Sequence, residues 1–70
     1  MFYIAKIDAD NFNTPSAVYL RKSMAIAIEV AFEMAIESGL NRSSQLREEI
    51  KTNGYCQCGN ITIAWGSTTE

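Results

Sequence analysis

Apolar residues alternate with polar ones near both ends of the chain, and a long run with helical spacing separates these two regions. The segment FYIAKID (Phe2–Asp8) is rich in β-forming residues and predicts a first strand. The turn-forming segment ADNFNTPS follows and holds the only proline. AVYLRK (Ala17–Lys22) is ambiguous, because Thr14 and Pro15 suit the start of a long helix whereas Val-Tyr-Leu favours a strand. We expect a second strand that pairs with the first.

The middle of the chain predicts two helices. MAIAIEVAFEMAIES (Met24–Ser38) has helical apolar spacing, with Ser23 as its N-cap and Gly39 as its C-terminal stop. SSQLREEIK (Ser43–Lys51) predicts a shorter helix that begins at a serine cap and ends at the Asn-Gly pair that follows it.

The last part of the chain predicts a β-hairpin. The runs YCQC and ITIAW flank Gly59-Asn60, and glycine at the first central position suits a two-residue type II′ turn. This turn sets the register and places alternate residues on one core-facing side: Cys56, Cys58, Ile61, Ile63 and Trp65. The final segment GSTTE, residues 66–70, predicts a frayed end.

These elements predict a single α+β domain over residues 1–70, with the order β-β-α-α-β-β and one long helix packed across a small antiparallel sheet. A chain of 70 residues buries only about 60% of its unfolded surface, so its core is thin. The expected core takes apolar residues from every element: Ile4, Val18, Leu20, Ile28, Phe32, Ile36, Leu46, Ile50, Ile61, Ile63 and Trp65.

The long helix is apolar over more of its circumference than one sheet can cover. At 100° per residue, Glu29, Glu33 and Glu37 occupy only about 80° of the helix, and packing on a sheet needs an apolar stripe of little more than about 100°. The expected packed stripe is centred on Phe32. Beside it lie further apolar residues without an assigned contact: Ile26, Val30 and Met34.

Three explanations for this surplus apolar flank remain open. The second helix covers it with Leu46 and Ile50, two copies of the protein associate through it, or it is the docking surface for another protein. A helix that is apolar nearly all round is buried by something.

The glutamate row has a simple interpretation as the solvent-facing stripe that keeps the helix soluble. It also has a cost, because like charges four residues apart destabilise a helix by a few tenths of a kcal/mol per pair. Glu37 lies at the C-terminal end, which is unfavourable for an anion, and no basic residue lies within the helix. The row is therefore a candidate contact for a basic partner.

The candidate partner-binding residues combine the glutamate row, the surplus flank and an aromatic residue on the outer sheet face, since tyrosine is enriched in interface hot spots. They are Glu29, Glu33, Glu37, Ile26, Val30, Met34 and Tyr55.

Composition narrows the classes of partner. The net charge of −2 favours neither a nucleic-acid-binding protein nor a membrane-surface protein. No signal peptide or membrane span is recognisable, so we expect a cytoplasmic protein. A weak nucleic-acid interface is a third hypothesis, carried by Arg21, Lys22, Arg42, Arg47 and Lys51.

Candidate chemistry is scarce. There is no histidine, no phosphate-binding glycine loop and no nucleophile beside a plausible base, so we expect no catalytic residue, no enzyme activity and no cofactor. Cys56 and Cys58 would point to one face about 6.5–7 Å apart, too far for an unstrained disulfide. Two thiols fall short of the four ligands of structural zinc. We expect two buried apolar thiols and no metal; a zinc site shared by a homodimer is the less favoured alternative.

The segment SMAIAIEVAFEMAIESG after VYLRK, together with the closing hairpin, resembles small phage-encoded inhibitor proteins. These include some anti-CRISPR proteins that block type I surveillance complexes, and several pack an Ala/Met-rich helix on a small antiparallel sheet. The resemblance covers most of the chain as a pattern and carries over no site residue. It implies inhibition of a host nucleoprotein in the host cytoplasm, by steric block or by acidic mimicry of nucleic acid.

The sequence thus predicts a non-enzymatic protein-binding module whose partner is a host protein or protein–nucleic-acid complex. The alternative function is that of a structural or assembly protein, which would form a homodimer or larger homo-oligomer through the apolar helix flank.

Overall fold

The computed structural model describes residues 1–10 and 15–68. The predicted α+β class and element order are confirmed, and the ambiguous segment after Pro15 is a strand. Thr14, which was considered as a helix cap, lies outside the described residues, as does part of the predicted turn before it. The elements are β1 Phe2–Asp8, β2 Ala17–Arg21, α1 Met24–Glu37, α2 Ser44–Asn53, β3 Tyr55–Cys58 and β4 Ile61–Ser67.

The four strands form one antiparallel sheet in the order β2-β1-β4-β3. Helix α1 lies over the central strands, and α2 packs beside it against β3. Leu46 and Ile50 of α2 share a core with Ile63 and Cys56 of the sheet, so both helices cover the same sheet face. The Cα atoms span 31 × 30 × 17 Å, as expected for two layers, one helical and one of sheet.

The predicted hairpin register is confirmed. Cys56 pairs with Ile63 and Cys58 with Ile61. Gly59 has a φ of 60°, and no non-glycine residue in the described ranges has a positive φ. This is the pattern of a type II′ turn, in which only the first central position requires the left-handed region.

The predicted frayed end is wrong for its first two residues. β4 continues through Gly66 and Ser67, which pair with Tyr3 and Phe2 of β1. Beyond the strand, the backbone N–H of Thr68 donates a 2.8 Å hydrogen bond to the carbonyl of Met1. Long-range pairing with β1 supplies these hydrogen bonds, whereas the local sequence of small polar residues signals only a weak strand.

Helix α1 ends as predicted, at a glycine. Gly39 has a φ of 117°, and its N–H donates to the Ile36 carbonyl while the N–H of Leu40 donates to the Ala35 carbonyl. This pair of bonds is a Schellman motif, which satisfies carbonyls that the helix leaves without a partner.

The buried side of α1 is centred on a different row from the predicted one. Ala27, Ala31 and Ala35 are fully buried and fall on one row at helical spacing. Phe32, the predicted centre, is also buried. Arg42, which precedes α2, and Arg47, which belongs to α2, lie over its ring, so Phe32 faces the second helix. A row of three small side chains leaves room for the helix to pack closely against its neighbours. The prediction placed the large residues at the centre of the buried side instead of these alanines.

The predicted core is wrong at Val18 and Leu20, which are 53% and 51% exposed. Ile4 points into the core and pairs with Tyr19, and directly paired residues of neighbouring strands lie on the same face. Tyr19 therefore lies on the helix side, and its two neighbours point to the opposite face. Alternation correctly grouped Val18 with Leu20, but only the register against β1 decides which face they take.

The remaining predicted core residues are buried or packed at the edge of the core. Ile36, Ile61 and Trp65 are partly buried against it. The indole N–H of Trp65 donates a 2.8 Å hydrogen bond to the Ile50 carbonyl, which joins β4 to α2.

The two helices differ in their N-terminal capping, which gives a matched test. The Ser43 hydroxyl accepts a 3.1 Å hydrogen bond from the N–H of Leu46, whereas Ser23 makes no side-chain capping bond. We expect Ser43→Ala to lower the free energy of unfolding by about 1 kcal/mol and Ser23→Ala to change it by less than about 0.5 kcal/mol. Urea unfolding followed by circular dichroism measures both, and equal losses would contradict this assignment of the caps.

Candidate partner-binding site

A groove of about 450 Å³ runs between α1 and the edge strand β2. We call it the α1–β2 groove. All six α1 residues that the sequence predicts as partner-binding line it, together with three residues outside that set of candidates. The lining residues are Tyr19, Arg21, Ala25, Ile26, Glu29, Val30, Glu33, Met34 and Glu37.

The floor of the groove is apolar, and the exposed fraction of its side chains decreases from one end to the other. Ile26 is 50% exposed, Val30 is partly buried and Met34 is buried. Met34 therefore offers a partner little surface, while Ile26 offers most. No residue of α2 lines the groove, so the second helix leaves this flank uncovered, and the first of the three explanations for the surplus apolar surface is wrong.

Two of the three glutamates are ion-paired with arginines from α2 and from the segment before it. Arg47 pairs with Glu29, and Arg42 reaches both carboxylate oxygens of Glu33 at 2.9 and 3.0 Å. All four of these side chains are about half exposed, so each pair contributes only roughly 0.2–1 kcal/mol.

The same arginines cover the Phe32 ring. The guanidinium carbons of Arg47 and Arg42 lie 4.6 and 5.5 Å from the ring centroid, within the range of cation–π attraction. Each glutamate thus holds an arginine over a buried aromatic residue. These arginines lie 9 and 18 residues away from their glutamates along the chain. Helical spacing within α1 therefore does not reveal them as partners.

The ends of the groove carry opposite charges. Glu37, at the C-terminal end of α1, has no ion-pair partner among residues 1–10 and 15–68. Arg21 ends β2, shortly before α1 begins, and its guanidinium lies 5.7 Å from the centroid of the Tyr19 ring. A segment bound along the groove would meet a cation at one end and a free carboxylate at the other.

Tyr55, the seventh predicted contact residue, is not in the groove. It lies on the sheet face away from the helices, at the β3 edge, and is 51% exposed. Tyr3 shares this face, whereas Tyr19 lies on the opposite one. We call this surface the outer sheet face. Register places on it Tyr3, Ala5, Ile7, Val18, Leu20, Tyr55, Gln57, Thr62, Ala64 and Gly66.

The cysteines are both free. Cys56 is buried, and this burial, with smaller effects of Glu49 and Cys58, raises the pKa of its thiol. The prediction of two buried thiols is wrong for Cys58, which is only partly buried. It lies near the end of the edge strand β3, and its thiol donates a 3.0 Å hydrogen bond to the Ser38 carbonyl. Within the described ranges, no three His, Cys, Asp or Glu side chains cluster as ligands of a metal ion. A raised pKa disfavours the thiolate, which is the form that binds metals and attacks electrophiles.

The comparisons with known proteins give no match: no protein-family model, no curated protein and no solved structure is significantly similar to this chain. Across the part of the chain that the structure describes, neither helix has the length and apolar character needed to cross a membrane.

Proposed function

We propose that this protein is a non-enzymatic, phage-type inhibitor that acts in the host cytoplasm by binding a host nucleoprotein or defence complex, in the manner of the anti-CRISPR proteins it resembles. The α1–β2 groove is the contact site. The observation that carries this proposal is an uncovered apolar helix flank beside a free carboxylate.

The apolar part of the groove supplies the affinity. Ile26 is half exposed beside Val30 and Tyr19. Full burial of an exposed side chain of this size contributes about 1.5–3 kcal/mol. Because Ile26 is already half buried, covering the rest contributes about half of that, which corresponds to roughly 3–10-fold in affinity.

The carboxylates supply the preference for a basic partner. Glu37 has no ion pair within the described residues. Glu29 and Glu33 are paired, but each carboxylate has about four acceptor sites, so both can accept further hydrogen bonds from a partner. Proteins that hold nucleic acid present Lys and Arg for that purpose. A host surface with such residues, next to an apolar ridge, matches the groove.

Homo-oligomer formation through the same groove is the second candidate function. The observation that favours it is the opposite charge of the two ends, because a two-fold-related copy would bring its Glu37 towards Arg21. An assembly protein of this kind would use the groove without any host partner.

The test is phage plaquing on bacteria with an active type I CRISPR defence that targets the phage, combined with binding to the purified surveillance complex. Wild type should restore plaquing and bind the complex. Ile26→Lys should weaken binding by roughly 10-fold or more, because it removes an apolar contact and places a cation that must lose its water against a basic partner. Glu37→Gln should weaken it less and reduce its salt dependence, because one exposed charge is removed.

Glu48→Gln is the matched control, since it removes an exposed carboxylate of α2 that does not line the groove, and it should behave as wild type. Wild type that neither restores plaquing nor binds would contradict the inhibitor proposal. A complex that Ile26→Lys binds as tightly as wild type would remove the groove from the contact surface.

A further inference from the structure

We propose that the outer sheet face is the interface of a homodimer, in which a second copy of this chain packs sheet against sheet. This surface is separate from the α1–β2 groove, and its use does not depend on the proposed function.

No part of residues 1–10 or 15–68 packs as a further layer on the outer sheet face. Both helices pack on the opposite side of the sheet, and Val18, Leu20 and Tyr55 are each just over half exposed. An antiparallel sheet with one solvated face normally alternates apolar and polar side chains, with polar ones outward. Here the outward positions are mostly apolar, which is the pattern of a sheet that is covered on both faces.

The outer sheet face also carries no charged side chain. None of the ten residues of the outer sheet face is ionisable at neutral pH, whereas the α1–β2 groove carries three carboxylates and one guanidinium. An isologous interface brings each patch against its own copy, so any net charge on the patch opposes association. A face without charges meets its copy without repulsion and without the cost of burying an ion.

The relief of the outer sheet face also suits packing against a second copy. Across the middle of the sheet, Val18, Ala5, Ala64 and Tyr55 lie side by side on successive strands. In this row the small residues of the central strands lie between larger residues of the edge strands, and Tyr3 and Ile7 of β1 border the resulting trough. Sheets that pack face to face lie about 10 Å apart with interdigitating side chains, and a two-fold-related copy places the ridges of one sheet in the trough of the other.

Tyr3 lies on the outer sheet face beside this row, opposite Gly66 of β4. Its ring lies across Gly66, where a Cβ atom would come within 2.9 Å of it. The ring covers backbone that would otherwise be exposed and adds aromatic area of the kind that dominates interface energetics.

The size of the face is compatible with a dimer of moderate affinity. Four strands about 4.8 Å apart, with three outward residues on the longer strands and two on the shorter ones, give a flat footprint of roughly 330 Å² per copy. The pair thus buries roughly 650 Å² before side-chain relief is added, which places it at the small end of specific interfaces, near roughly 1,000 Å². We therefore expect a dimer that dissociates on dilution in the micromolar range.

The test is the solution mass, measured by light scattering and sedimentation from about 1 μM to about 1 mM, the range in which modest interfaces dissociate. Wild type should change from monomer to dimer as its concentration rises. Val18→Lys and Tyr55→Lys place a charge on half-exposed positions that the monomer tolerates, and they should shift the transition at least about 10-fold higher in concentration.

Ile26→Lys is the matched control, because Ile26 is equally exposed but lies in the groove. It should dimerise as wild type does, and circular dichroism should show that all three variants are folded. A wild type that stays monomeric up to about 1 mM would overturn the proposal. So would a dimer that both sheet-face variants retain, or one that Ile26→Lys alone disrupts.

Discussion

Phe32→Ala is expected to lower the free energy of unfolding more than any other substitution proposed for this protein. Phe32 is among the largest fully enclosed side chains of the core, and truncation of a buried phenylalanine costs about 3–5 kcal/mol. The free energy of unfolding of a 70-residue domain at about 0.05–0.15 kcal/mol per residue is of the same size. The loss of the ring also removes the surface over which Arg42 and Arg47 are held.

Urea unfolding of Phe32→Ala, followed by circular dichroism at several temperatures, measures this loss. Ile26→Ala is the control, because it truncates an apolar residue of the same helix that is half exposed, and its effect should stay below about 1 kcal/mol. Equal urea midpoints for the two variants would mean that Phe32 does not anchor the contact between α1 and α2.

Ala31→Leu is expected to have the second largest effect. Ala31 is fully buried, as are Ala27 and Ala35 one turn away on each side, and extra carbons in a well-packed core cost about 1–3 kcal/mol and occasionally more. The helix must move away from β1 and β4 or the leucine must adopt a strained rotamer. Either response loosens contacts along the whole helix, so we expect a value at the upper end of this range.

Ala25→Leu is the matched control for this substitution. It makes the same chemical change in the same helix, with a similar small effect on helix propensity, at an exposed position. Its free energy of unfolding should stay within about 0.5 kcal/mol of wild type. If Ala31→Leu were as stable as Ala25→Leu, the alanine row could not be what sets the distance between helix and sheet.

Local signals determined the elements. Glycine and serine at helix ends, and the Gly59-Asn60 turn between alternating runs, act over a few residues, so they can be read without the fold. The hairpin turn also determines its own register, which correctly placed Cys56 and Ile63 on the core side. The six candidate residues on α1 were likewise found together in one groove, because helical spacing alone puts them on neighbouring rows.

Contacts between distant segments decided the rest. The pairing of β2 with β1 turned Val18 and Leu20 outward and Tyr19 inward, and no residue inside β2 specifies that choice. The position of α2 gave Glu29 and Glu33 their arginines and left the Ile26 flank open.

The sequence by itself therefore determined every element except β2, which it favoured as a strand without excluding a helix, and it determined the existence of more apolar surface than one core can use. Only the tertiary structure decided where that surplus lies, in a groove beside β2 and across an uncharged sheet face. The physical reason is that periodicity sets which residues share a face, whereas burial of that face depends on strand register and helix placement, which are set by long-range packing.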